Sequence, residues 1–130
     1  MLYPDGIKHM KDLLSTFKIL GDENRLRIIL MLRIRPLCVC EIYEVLNIAL
    51  STISAHLKSM KNAGIIKDTK EGRWVIYDLV RGRGYVDRLI DSIAKELRDE
   101  PNVKKDKAKI SMITREICSS KFQTAKNIEN

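Results

Sequence analysis

The chain has 130 residues, of which 45% are hydrophobic, 5% aromatic and 32% charged. That length holds one domain with a single core and a short appendage, which excludes two independent domains, and so few aromatics beside so many charges favour helices over a β-sandwich. A net charge of +7 and a pI near 9.4 suit a polyanionic partner, nucleic acid being the commonest for a small basic domain, and the positive charge is concentrated in residues 51–73 and 101–130.

The apolar residues Ile7, Met10, Leu13, Leu14, Phe17 and Leu20 recur at helical spacing, which predicts an amphipathic helix from Ile7 to Leu20 closed by Gly21. A second helix begins at Asp22-Glu23-Asn24, where negative charge favours a helix N-terminus, and runs to Pro36. Its core residues are Leu26, Ile29, Leu30 and Leu32 to Ile34. A helix of about two turns follows in CVCEIYEVLN, with Ile42, Val45 and Leu46 inward and Asn47 as the breaker. The next helix has Ser51 as N-cap, Ile53, Leu57 and Met60 on one face and Gly64 as the stop.

Beyond Gly64 the pattern alternates. IIKDTK and RWVIYDL flank Glu71-Gly72, a hairpin signal. A further amphipathic helix, GYVDRLIDSIAKELRD, buries Val86, Leu89, Ile90, Ile93 and Leu97 and stops before Pro101. The expected fold is mainly α with a small β-hairpin, a winged helix-turn-helix in the order α-α-α-α-β-β-α over residues 1–100. Residues 101–130 read as a basic tail, with Ile110, Ile113 and Ile117 marking one short helix.

In a helix-turn-helix the outward side chains near the start of the second helix meet bases and phosphates of double-stranded DNA. Here these are Ser51, Thr52, Ser54, Ala55, His56 and Lys58, with Lys61 adding counter-charge. Ser51 can cap its helix and touch DNA at once; for His56 a half-buried structural role competes with the DNA role. On the hairpin, Lys67, Lys70 and Arg73 reach flanking DNA or serve as solubility charges, Arg73 being the preferred contact. Trp74 and Tyr77 are packing residues.

The run LCVCEIYEVLNIALSTISAHLKSMKNAGIIKDTKEGRWVIYDL resembles the ArsR/SmtB family of metal-responsive winged-helix repressors, its arsenic sensors in particular. The resemblance covers about residues 7–98 and is most specific in CVCE, STISAHLKSMKNAGII and EGRWVIYDL. It implies a homodimer packed through the first helix and the helix from Gly84 to Asp99, with the helix after Leu50 reading an inverted repeat.

Residues two apart on a helix point about 200° away from each other, so Cys38 and Cys40 converge only where the backbone is partly unwound, at a helix start. There the helix dipole is expected to lower the thiol pKa and supply thiolates near neutral pH. Soft thiolates select As(III), Sb(III), Cd(II), Pb(II), Zn(II) or Cu(I), whereas a purely structural role would treat the cysteines as small buried hydrophobes. The resemblance implies that the CVC pair supplies the principal ligands for As(III) or Sb(III). The family's arsenic sensors carry a further Cys three residues on, and Tyr43 stands there instead.

Cys118 offers a third thiolate, from its own or the partner subunit, or it lies isolated on the apolar side of a tail helix, the simpler of the two. The family's other common site, of Asp and His on the helix after the hairpin, has only Asp87 and Asp91 here and no histidine. The expected function is a repressor released from DNA by a thiophilic ion. A thiol redox or persulfide switch is the alternative, and a small thiol-disulfide enzyme is weaker because no βαβ pattern is present. No Ser-His-Asp set, Walker loop or paired catalytic carboxylates suggest an enzyme. No apolar run spans a bilayer and no signal peptide opens the sequence, so a cytoplasmic protein is expected, with no membrane partner.

Overall fold

The computed structural model describes residues 9–116 and 118. Ile7 and Ile117, which the sequence places in helices, lie outside the described residues, as does the tail from 119 onward.

Helix α1 spans Met10–Leu20 and ends at Gly21, whose N–H donates to Phe17 O at 2.9 Å. Asp22 caps α2, Glu23–Ile34, by accepting the Arg25 N–H at 3.1 Å. In α2 the five consecutive residues Ile28 to Leu32 are all buried, because α1, α4 (Leu50–Asn62), α6 (Pro101–Met112) and β3 (Trp74–Leu79) pack around it. A helix apolar on every side is a central helix. The burial is shifted toward the helix middle relative to the sequence reading: Leu26 is half-buried and Ile34 is 48% exposed.

Pro36 ends α2, and the residue before a proline is pushed to extended backbone, which Arg35 adopts with φ −162° and ψ 160°. The chain therefore leaves α2 extended and forms β1, Leu37–Cys38, before α3, Val39–Leu46. Asn47, in the left-handed conformation at φ 51°, closes α3, and its N–H donates to Tyr43 O at 2.8 Å. Helix α4 starts two residues earlier than the sequence suggests. Its N-cap is Ala49, so Ser51 is not the cap and lies exposed in the first turn. Ile53, Leu57 and Met60 form its buried face.

Strands β2, Ile66–Glu71, and β3 pair antiparallel from Ile66 opposite Leu79 to Glu71 opposite Trp74. The register leaves Gly72 and Arg73 as a two-residue turn, with Gly72 at φ +60°. Strand β1 adds to the other side of β3, with Leu37 opposite Tyr77 and Cys38 opposite Ile76, so the wing is a three-stranded sheet in the order β1-β3-β2. Helix α5, Tyr85–Glu96, buries Val86 and Ile90, while Leu89, Ile93 and Leu97 stay half-buried.

The segment read as a basic tail contains α6, which has Pro101 in its first turn and Glu100 as its cap, accepting from Asn102 N and Val103 N at 2.9 and 3.1 Å. It packs on α2 and α3 through buried Ile110 and Asp106, the latter taking hydrogen bonds from Arg27 Nε and Nη2 at 2.8 and 2.7 Å. The architecture is a winged helix-turn-helix, α3 and α4 followed by the β2-β3 wing, with β1 added to the expected order and α6 as the helix of the tail, ending at Met112 before Ile113. Among the described residues no helix is long and apolar enough to cross a membrane.

Candidate metal centre and nucleic-acid face

Cys38 is the N-cap of α3, in extended backbone at φ −89° and ψ 167°, and Cys40 is the second helical residue. That break in conformation lets the two side chains converge. The sulfurs lie 2.8 Å apart, and Cys118 Sγ lies 2.7 Å from Cys40 Sγ. All three sulfurs are within 4.8 Å of one another and all three residues are buried. The cluster sits directly against the wing, with Ile76 of β3 and the partly buried Trp74 and Ile113 as its apolar walls. Tyr43 packs instead against the main core, so the third sulfur comes from beyond α6.

Glu41, 1% exposed, organises this end of α3. Its Oε1 accepts the Cys38 N–H at 3.0 Å while its own N–H is turned to the Cys38 sulfur, a capping box in which sulfur replaces a hydroxyl. Arg35 Nη1 lies 2.7 Å from Glu41 Oε2, and Arg115 Nε lies 3.6 Å from Oε1. Arg35 also donates to Ile110 O at 2.9 Å, which fixes the end of α6 near the thiols.

Cys38 and Cys118 are not the ready thiolates that a helix start suggests. The Cys38 thiol is pushed well above the ordinary thiol range, first by its hydrogen bond with the Cys40 sulfur and then by burial. The Cys118 thiol is pushed up to about 11, chiefly by burial. Loss of water around the sulfurs and their mutual proximity outweigh the partial charge of one helix end.

On α4, Ser51, Thr52, Ser54, Ala55 and Lys58 are exposed on the side opposite Ile53, Leu57 and Met60. His56 faces back instead. Its side chain is 13% exposed, with Nε2 3.7 Å from Asp22 Oδ1 and Nδ1 3.4 Å from Arg25 Nη1. Arg25 in turn donates to Ile19 O and Lys18 O at the end of α1, at 3.0 and 2.9 Å, so His56 docks the start of α2 and the end of α1 onto α4. Lys61 is exposed, with Nζ 2.9 Å from Asp68 Oδ2 on β2. Lys67, Lys70 and Arg73 are exposed on the wing, and the Arg73 guanidinium lies 4.5 Å from the centre of the Trp74 ring.

Asp87 and Asp91 serve local structure. Asp87 accepts from the N–H groups of Gly82 and Arg83 at 2.7 and 3.1 Å, and Asp91 pairs with Arg33 at 2.9 Å. The sequence reading missed Arg35, Glu41 and Arg115 around the thiols. Glu41 carried a usable signal, three residues after a cap residue and just before an apolar run; the two arginines carried none.

The bacterial regulatory protein model of the arsR family matches residues 22–68. The arsenic resistance transcriptional regulator ArsR1 of Pseudomonas putida is 36% identical over 101 residues, covering 75% of this chain and 75% of that protein. The cadmium resistance transcriptional regulatory protein CadC of Listeria innocua is 42% identical over 62 residues, covering 47% of this chain; there the chain spans about half, 52%, of the relative. A homodimeric winged helix-turn-helix DNA-binding domain from Mycobacterium bovis superposes with a TM-score of 0.60 at 23% identity, covering 71% of this chain and 83% of that one, a likeness of fold alone.

Proposed function

This chain belongs to the arsR family of bacterial regulatory proteins, and within it we propose a DNA-binding repressor that leaves its operator when As(III) or Sb(III) binds Cys38, Cys40 and Cys118. The observation that carries the reading is the convergence of three sulfurs against the inner strand of the wing.

Charge and coordination favour a trivalent metalloid over a divalent ion. Three thiolates and a trivalent centre make a neutral complex, which a buried apolar pocket accepts; three thiolates and Cd(II) leave a net negative charge that burial penalises. Arg35 and Arg115 do not offset it, since their two charges already face those of Glu41 and Glu71. As(III) is complete with three ligands in a pyramid, whereas Zn(II) takes four. The donor set among the described residues is three sulfurs.

DNA would meet Ser51, Thr52, Ser54, Ala55 and Lys58 on α4 and Lys70 and Arg73 on the wing, all exposed and clear of the core. In this scheme Lys61 contributes less because Asp68 holds it, and His56 positions α4 rather than reading a base. A second copy would pack on α1, where Met10, Leu14 and Phe17 are 77, 59 and 45% exposed in one stripe, and on α5 near Tyr85, placing two α4 helices on an inverted repeat. Ion binding between α3 and the wing then alters both elements that flank α4. A coupling of about 1–3 kcal/mol would lower operator affinity about 5- to 150-fold.

The test is fluorescence anisotropy of the reduced protein on its own promoter DNA, with and without As(III), in wild type and in Cys38→Ser/Cys40→Ser. Release of the wild type alone is expected; tighter binding with As(III) would reverse the sign of the coupling and end this reading. The 2.7 Å approach of Cys40 and Cys118 also supports a redox switch, in which an oxidant such as peroxide takes two electrons and two protons to join the sulfurs. Release by peroxide with no response to As(III) selects that alternative.

A further inference from the structure

We infer that Arg115 is a positioning residue that ties the third thiol to the tip of the wing, so that the state of the cysteine cluster is passed to the DNA-facing hairpin through one side chain. The inference rests on the ion-released repressor reading above.

Arg115 belongs to the short turn that presents Cys118. The Cys118 N–H donates to Thr114 O at 3.1 Å and its thiol to Arg115 O at 3.6 Å. The guanidinium then spans two carboxylates. Its Nε stands 3.6 Å from Oε1 of Glu41, the oxygen that also accepts the Cys38 N–H, and its Nη1 stands 3.7 Å from Oε2 of Glu71, the last residue of β2. Glu71 is followed by the turn Gly72-Arg73, and Lys70 precedes it. One residue therefore meets the turn of Cys118 through its backbone carbonyl and, through its guanidinium, the carboxylate that caps Cys38 and the hairpin that carries two of the proposed DNA contacts.

The geometry gives this contact a positional role more than a stabilising one. Glu71 is 57% exposed and Arg115 31%, and an exposed ion pair at this separation adds little to folding. Its effect lies in direction. Cys118 approaches the cluster from a segment 78 residues after Cys40, so whatever fixes its sulfur also fixes the turn bearing Arg115. With Cys118 held by a bound ion, Arg115 stands at one place between Glu41 and Glu71; with Cys118 free to leave, the hairpin tip loses that tether. A rigid guanidinium fork suits this two-sided contact better than a flexible ammonium.

The full-length protein is the test object, in wild type, Arg115→Gln, Arg115→Lys, Glu71→Gln and Arg115→Gln/Glu71→Gln. Without any ion, the rate of Cys118 alkylation by N-ethylmaleimide, followed by mass spectrometry, is expected to rise severalfold in Arg115→Gln, to recover partly in Arg115→Lys and to stay at the wild-type value in Glu71→Gln. On promoter DNA, the ratio of dissociation constants with and without As(III) is expected to fall by up to about fivefold in Arg115→Gln and in Glu71→Gln, the ceiling for an exposed ion pair. The double variant should fall no further than either single one. Wild-type ratios in both single variants, or losses that add in the double variant, would overturn the link while leaving the repressor reading intact. A wild-type protein whose operator affinity ignores As(III) would remove both. Should Arg115→Gln fail to fold, Glu71→Gln decides, since its side chain lies at the surface.

Discussion

The sulfurs of Cys40 and Cys118 stand 2.7 Å apart across 78 residues of sequence. No local pattern announces such a pair, and it brings Cys118, which the sequence offered either as a third thiolate or as an isolated residue, beside the other two thiols. If the third sulfur is a ligand, Cys118→Ser should weaken As(III) binding by more than about 100-fold, because loss of a mere supporting contact at metal sites already costs about 10- to 100-fold. Titration of As(III) against the ultraviolet absorption of arsenic-sulfur bonds reads this directly. Equal affinity in wild type and variant would return Cys118 to a packing role.

The protonation of the cluster separates its candidate ions. Cys38 and Cys118 keep their protons at neutral pH, being held above the ordinary thiol range. Arsenous acid exchanges cleanly with such thiols: three arsenic-oxygen bonds break, three arsenic-sulfur bonds form, and the thiol protons leave with the hydroxyl groups as water. No net proton is released, so As(III) affinity should be nearly flat between about pH 6 and 8. Cd(II) must expel protons to solution, and its affinity should climb about tenfold per pH unit for each one. Titrations at three pH values read each slope; a Cd(II) affinity flat with pH, together with an As(III) affinity that falls as pH rises, would mean that the cluster is not protonated as described.

Asp106 shows why the segment after Pro101 was hard to read. Its neighbours in sequence are lysines, a composition that suggests a solvated tail, yet it is 3% exposed and takes two hydrogen bonds from Arg27, 79 residues upstream. The apolar faces of α3 and α4 were legible because helical spacing is a local property. The docking of α6, the two-residue strand β1 and the arginines around Glu41 depend on partners far along the chain. Asp106→Asn should cost about 2–3 kcal/mol, somewhat less than a fully buried pair because Arg27 keeps some contact with water. Urea denaturation measures the loss, and amide exchange should place it first in residues 101–112.

The proposed DNA face allows a sharper division than sequence could make. The exposure of Ser51, Thr52, Ser54, Ala55, Lys58, Lys70 and Arg73 was readable from the helical spacing of α4 and the turn of the wing, whereas the return of His56 toward Asp22 and Arg25 was not. Lys58→Ala and Arg73→Ala should each reduce the slope of log K against log salt by about 0.9, the signature of one lost phosphate contact. His56→Ala should leave that slope unchanged and lower stability. A reduced slope in the histidine variant would restore it to the DNA contacts.

Asp22 holds the N-terminus of α2 beside the ring of His56, and its carboxyl is kept below the usual 3.8, first by the N–H of Arg25 and further by the charges of His56 and Arg25, against an opposing effect of burial. A depressed carboxylate stabilises the fold above its unfolded pKa and stops doing so as pH falls through the folded value, so the contribution is complete at neutral pH and fades below about pH 4. Asp22→Ala should therefore cost about 1 kcal/mol at pH 7, the usual loss of a helix cap. At about pH 3 the gap to wild type should shrink as the wild type loses its charged cap. Thermal unfolding at the two pH values tests the sign; a gap that widened on acidification would place the stabilisation in some other group. Because His56 packs on the same carboxylate at 3.7 Å, the variant should also loosen α4, visible as faster amide exchange in its first turns.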